Sequence, residues 1–306
     1  MPGDNRSLQS HPTAKMRRRR RLLVFLLSVV LLPVTLGLGL SHMFTRRRRP
    51  DQSCSPAQYG LPFEEVAFPA RDGVLLRGWW IPAPGSERAV IFLHGYGGSM
   101  DPDLQYVPAF HEAGFNVLMF DFRNHGRSEG QITTAGYLER QDVLGAVDFV
   151  RSRGIERIGL LGFSMGGMVA MLTAPLCPQV GAVISDGGPA RMCSALRVWG
   201  TERGLPRWLA GWLAWLVLAA TSLRVRANLF RYEPVRWVGQ LWPRPILFIH
   251  GDGDPYLPPE DLRQLVAAAG PEAQLWRVPE AGHRNVDHFY PQEYRRRCIE
   301  FFTQHL

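Results

Sequence analysis

A serine between two glycines, in Gly162-Phe163-Ser164-Met165-Gly166, carries the clearest chemical signal in this chain. A serine hydroxyl is a poor nucleophile at neutral pH and needs a base to take its proton. The G-x-S-x-G spacing meets part of that need by lifting the hydroxyl on a tight turn between a strand and a helix. Its glycines are expected because such a turn brings backbone segments too close for side chains. The base is expected at His283, in Glu280-Ala281-Gly282-His283; His288, five residues on, reads as a surface residue. The imidazole in turn needs a carboxylate to hold its tautomer and balance its positive charge. His250-Gly251-Asp252-Gly253-Asp254-Pro255 offers two. Asp254 is the first choice, because Pro255 and Pro258 fix a turn that can aim it, and Asp252 is the alternative.

Acyl transfer also needs donors for the charge that develops on the carbonyl oxygen. His94-Gly95-Tyr96-Gly97-Gly98 can supply backbone N–H groups, and those of Tyr96 and Met165 are the expected pair. The same segment resembles a phosphate loop, but it lacks the Gly-Lys-Ser/Thr ending. His94 itself reads as structural.

Elements that could position these residues alternate in the βαβ manner of a parallel sheet covered on both faces. Continuous apolar runs mark strands buried on both sides: Ala89 to Leu93, Asn116 to Phe120, Arg157 to Leu161, Gly181 to Ser185 and Ile246 to Ile249. A hairpin (Glu65 to Ala70, Val74 to Ile81) precedes them, and Ala273 to Val278 is the last strand. Helical periodicity is clearest over Tyr137 to Arg153, with Met165 to Leu176, Pro259 to Ala269 and Pro291 to Phe302 as further helices. Between Ala190 and Trp242 there is no strand signal but six tryptophans, and Leu209 to Leu223 is almost wholly apolar. This segment reads as a helical insertion, a candidate lid.

Charge is distributed unevenly. Of 35 basic and 27 acidic residues, 11 basic and one acidic lie in the first 50, leaving 24 against 26 in the remainder. The net charge of +8 therefore belongs to the N-terminus, and no basic stripe remains to neutralise nucleic-acid phosphates. Residues 1–21 read as an irregular basic cytoplasmic tail. Residues 22–45 read as an uncleaved transmembrane anchor: Leu22 to Leu40 is nearly all aliphatic, and 19 helical residues span about 28 Å. The run exceeds a signal-peptide h-region, and no Ala-x-Ala site follows it. Lys15 and Arg17 to Arg21 slightly outweigh Arg46 to Arg49, favouring a single-pass protein with its globular domain on the extracytoplasmic side. A linker covers 46–61. Cys54, Cys177, Cys193 and Cys298 form no metal-ligand spacing and read as buried free thiols.

Four segments, HGYGGS, DFRNHGRSEG (Asp121 to Gly130), GFSMGG and HGDGDPYLP, follow four strands in order. Together they resemble the α/β-hydrolase superfamily over about Pro62 to Leu306, and most closely its membrane-anchored branch of small esterase-like or acyl-thioesterase-like proteins. The chain order Ser164, Asp254, His283 is that superfamily's. The resemblance implies a mostly parallel sheet of about eight strands flanked by helices, with a lid at 190–242. It also implies a serine hydrolase of carboxylic esters or thioesters that uses no cofactor or metal. Asp121, Arg123 and His125 would support the neighbouring loop. A lipid-like or other small-molecule ester is the expected substrate. A peptidase or aminoacyl hydrolase of the same fold, or an inactive binding or folding factor at the membrane, are the alternatives.

Overall fold

The computed structural model describes residues 14–47 and 54–306, with most side chains before Leu31 left undescribed. Residues 1–13 of the expected tail and 48–53 of the expected linker lie outside it. The strands are β1 (Glu64–Pro69), β2 (Leu75–Ile81), β3 (Arg88–Leu93), β4 (Asn116–Phe120), β5 (Arg157–Phe163), β6 (Val180–Asp186), β7 (Ile246–Gly251) and β8 (Ala273–Val278). The helices are α1 (Ala14–Thr45), α2 (Val107–Glu112), α3 (Glu139–Ser152), α4 (Met165–Thr173), α5 (Met192–Thr201), α6 (Arg207–Arg224), α7 (Pro234–Trp237), α8 (Pro259–Ala269), α9 (Val286–Phe289) and α10 (Pro291–His305).

The strands form one sheet in the order β1-β2-β4-β3-β5-β6-β7-β8. β1 and β2 are antiparallel to their neighbours, and the pairs from β4 to β8 are parallel. Alternation along each strand feeds two cores. Ala89, Ile91 and Leu93 face a layer that includes residues of α3, α4 and α8. Val90 and Phe92 face one that includes residues of α2 and α10. Burying such a side chain stabilises the fold by roughly 1.5–3 kcal/mol. The chain moves from β3 outward to β4 and then returns to the other side of β3 as β5. That reversal opens a crevice at the carboxyl ends of β3 and β5, where open α/β sheets bind ligands.

The segment between β6 and β7 contains no strand; its regular elements are α5, α6 and α7 with short 3-10 turns. Two expectations need correction. Ala14 to Arg21 belong to α1 rather than to an irregular tail. Two of the four thiols, Cys54 and Cys193, are only partly buried, though all four are unpaired. The expected span lies within α1, and much of it falls where side chains are undescribed. Among the described residues, no helix is long and apolar enough to cross a membrane.

α1 ends docked rather than free. Gly37 lies against Leu216 and Ala220 of α6, and Ser41 Oγ is 3.0 Å from Thr221 Oγ1. Arg224 donates to the hydroxyls of Ser41 (3.0 Å) and Thr45 (2.7 Å). These contacts advance together along both chains, so the two helices run parallel. The last carbonyls of a helix lack intrahelical donors. Here the carbonyl of Phe44 accepts from the Tyr96 hydroxyl, and that of Thr45 accepts from Asn124 Nδ2 (2.8 Å) and the Thr133 N–H (3.0 Å).

Candidate active site

Ser164 ends the turn between β5 and α4 with φ 52° and ψ −112°, a strained conformation for a residue with a side chain. The flanking glycines show why the turn is confined to this sequence. A Cβ on Gly162 would lie 2.4 Å from the backbone of Gly166, and one on Gly166 would lie 1.8 Å from the Leu93 carbonyl oxygen. The turn is pinned by the Ser164 N–H, which donates to the Asp186 carbonyl at 2.8 Å.

The structure brings Ser164, His283 and Asp254 together. His283 Nε2 is 3.0 Å from Ser164 Oγ, and its Nδ1 is 2.8 Å from Asp254 Oδ2. Because the carboxylate can only accept, Nδ1 carries the proton and Nε2 presents its lone pair to the serine hydroxyl. The other oxygen of Asp254 accepts from the Tyr256 N–H at 2.8 Å, which fixes the carboxylate's rotation. Asp252 turns the other way and pairs with Arg277 on β8 at 2.8 and 2.9 Å. His288 is 75% exposed on its side chain and 3.9 Å from Asp287, away from this group.

Tyr96 follows β3, and its loop abuts the serine: a Cβ on Gly95 would lie 3.6 Å from Ser164 Cβ. Met165 opens α4, so its N–H belongs to the positive end of that helix. Ser164, Tyr96 and Met165 share one cavity of about 230 Å³. Its remaining lining is mostly apolar, from α4, α5, α6 and the last turns of α1.

Two buried histidines hold the Tyr96 loop. The Phe122 N–H donates to His94 Nε2 (2.9 Å), so the proton is on Nδ1, which donates to the Gly95 carbonyl (2.8 Å). In the same way the Gly97 N–H donates to His125 Nε2 (3.2 Å), and His125 Nδ1 donates to the Arg123 carbonyl (2.9 Å). Asp121 accepts from the N–H groups of Met100 and Arg127, both at 2.8 Å. Arg123 is clamped by Asp142 and Asp72.

Burial lowers both rings from the ordinary 6.5 to about 4, with His94 adding to the effect on His125. An unfolded chain takes up these protons below pH 6.5, and the folded chain does so only near pH 4. The stability held by the neutral rings is therefore full above pH 6.5 and is lost as the pH falls toward 4. The thermal midpoint of the protein is expected to drop between pH 7 and pH 5 by roughly 4–8 °C for each ring. His125→Gln, which cannot titrate, should show a shallower drop; an equal drop would assign the acid sensitivity elsewhere.

Residues that sequence reasoning missed surround this core. The Tyr256 ring packs 4.8 Å from that of His283, and its hydroxyl donates to Glu202 at the end of α5. Arg284, next to His283, is held at φ 54°. Its guanidinium lies 4.0 Å over the Phe163 ring and reaches Asp103 at 3.1 Å and Asp186 at 3.6 Å. Burial outweighs that cation at Asp103 and lifts its carboxyl to about 6. These contacts tie the loop carrying His283 to the carboxyl ends of β5 and β6 and to the turn that carries Asp103.

The alpha/beta hydrolase family profile matches residues 90–297, which take in Ser164, Asp254, His283 and the Tyr96 loop. The chain belongs to that family. It is 30% identical over 258 residues to YfhR of Salmonella typhimurium, covering 79% of this chain and 82% of that one. It is 25% identical over 316 residues to YqkD of Bacillus subtilis, covering 94% and 98%. Among solved structures it resembles the Pyrococcus furiosus esterase Pf2001, with TM-score 0.70 and 26% identity over 85% of this chain and 99% of that one. Among the described residues, no group of His, Cys, Asp and Glu is disposed to hold a metal ion.

Proposed function

We propose that this α/β hydrolase is a membrane-anchored serine hydrolase that cleaves carboxylic esters or thioesters of apolar acyl groups. The observation that carries the reading is the hydrogen-bonded chain Ser164–His283–Asp254 opening into an apolar cavity. The esterase character of the Pyrococcus relative agrees with it.

In this mechanism His283 Nε2 takes the Ser164 proton as Oγ attacks the acyl carbon. Asp254 stabilises the imidazolium, and the N–H groups of Tyr96 and Met165 receive the oxyanion. His283 then passes the proton to the leaving alcohol or thiol. Water, activated by the same ring, releases the acid and restores the serine.

Membrane anchoring is supported by what α1 and α6 expose. Leu31, Leu32, Val34 and Leu36 of α1, and Trp208, Trp212 and Trp215 of α6, all present apolar surface to the outside. Because the helices run parallel, these residues gather toward one end of the pair, while Arg46, Arg47 and Arg224 mark the other. Apolar side chains in the bilayer and arginines at headgroup level fit that arrangement. The insertion then serves as a lid at the interface, with the hydrolase domain on the extracytoplasmic side.

The test uses the full chain in lipid nanodiscs, a fluorophosphonate probe and p-nitrophenyl esters of two to sixteen carbons. Expected are labelling confined to Ser164 and hydrolysis that rises from acetyl toward medium-length acyl chains. Activity that falls steadily with chain length would remove the apolar acyl assignment. No labelling and no hydrolysis would leave a hydrolase fold used for binding.

A further inference from the structure

The cavity beside Ser164 is not closed by the globular domain alone. Leu40, Met43 and Phe44 of α1 line it together with residues of α5 and α6, such as Leu196 and Val217. Helix geometry explains how one short stretch does two things. Gly37, Ser41 and Thr45 recur at intervals of four and form one narrow face, which seats the helix closely on α6. Leu40, Met43 and Phe44 are spaced i, i+3, i+4 and share a second face, which meets the cavity.

This second face is held in place from several sides. The Phe44 ring stacks on Tyr96 with centroids 5.3 Å apart, and the carbonyls of Phe44 and Thr45 are tied to Tyr96, Asn124 and Thr133. Arg47 donates to the carbonyls of Gly126 and Ser128 just beyond the helix.

On the serine-hydrolase reading above, we propose that Leu40, Met43 and Phe44 set the acyl-chain length this enzyme accepts. The N-terminal helix is then part of the substrate site as well as an anchor. A dry cavity of about 150 Å³ takes a six-carbon ring, so the 230 Å³ here corresponds to an acyl chain of about eight to ten carbons. Met43 is 49% exposed, so it stands at the mouth. Leu40 lines the cavity, so a larger side chain there would take up part of its volume.

The experiment compares Leu40→Trp, Leu40→Ala and Leu38→Trp with wild type, each as full chain in nanodiscs. Leu38 lies on the exposed side of the same helix and does not line the cavity. The readouts are kcat/KM for esters of four to sixteen carbons and the rates of Ser164 labelling by butyl and decyl fluorophosphonates. The wild-type optimum is expected near eight to ten carbons. Leu40→Trp should lower the decanoyl-to-butyryl ratio by about tenfold or more. Leu40→Ala should move the optimum to longer chains, and Leu38→Trp should keep the wild-type profile. The labelling rates should follow the same order without depending on turnover. Unchanged profiles in both Leu40 variants, or an equal loss at every length, would overturn the proposal while the hydrolase reading stands. No Ser164-dependent turnover or labelling in any form would overturn both.

Discussion

Replacing Ser164 with alanine is expected to lower kcat for ester hydrolysis by about a millionfold, the loss seen when the nucleophile of such a triad is removed. The loss should fall on the chemical step, because the cavity wall is untouched. Ser185 cannot substitute. Its Oγ is buried, and among the described residues it has no hydrogen-bond partner, but it is packed between Gly167 and Gly188, with no room for substrate. Alanine keeps the backbone strain at φ 52° and loses only the hydroxyl, so the thermal midpoint should stay near wild type. Initial rates on a butyryl ester, with a melting curve for each protein, give the comparison. Residual activity above about a hundredth of wild type would mean that another group attacks the substrate, since nucleophile loss in a working triad costs far more.

Much of this arrangement was legible in the sequence for one physical reason. A parallel strand buried on both faces must be apolar throughout, so it announces itself, and the residues that follow it lie at the sheet's carboxyl edge. Ser164, Asp254, His283 and the Tyr96 loop all follow such strands or the last strand. The Pro255 and Pro258 turn already favoured Asp254; what the sequence did not show was the partner that turns Asp252 away. Both carboxylates follow β7, and that partner is Arg277, a neighbour 25 residues from Asp252 that captures it on β8.

The role of α1 was hidden for a different reason. An apolar run reads the same whether lipid or protein meets it, and the groups that dock it, Tyr96, Asn124, Thr133 and Thr221, are scattered over the chain. One signal was present. Gly37, Ser41 and Thr45 place small residues every four positions, a pattern that lets helices approach closely. It marked a helix built to pack against another. Arg284 was equally hidden, because a cation beside a histidine looks like a surface residue until Asp103 and Asp186 are found beside it.

Asp254→Asn is expected to lower kcat by about ten-thousandfold, whereas Asp252→Asn should change it less than about twofold. Asp254 does two accepting jobs at once, one oxygen toward the Tyr256 N–H and the other toward His283 Nδ1. Asparagine has a single carbonyl oxygen and cannot do both. If the oxygen stays with Tyr256, the amide NH₂ faces the ring and forces its proton onto Nε2. The ring then points a donor at Ser164 and is no longer a base. If the amide flips, its NH₂ meets the Tyr256 N–H, donor against donor, and the Asp254 turn that orients the ring is strained. In both cases the fault is in proton transfer, so KM should stay close to wild type while kcat falls. Asp252 loses only an exposed pair with Arg277, which contributes less than about 1 kcal/mol. Steady-state kinetics of the two variants on one short ester separate these carboxylates. Equal impairment of both would mean that the acid partner of His283 is shared or misassigned, and the Asp254 geometry would lose its place in the mechanism.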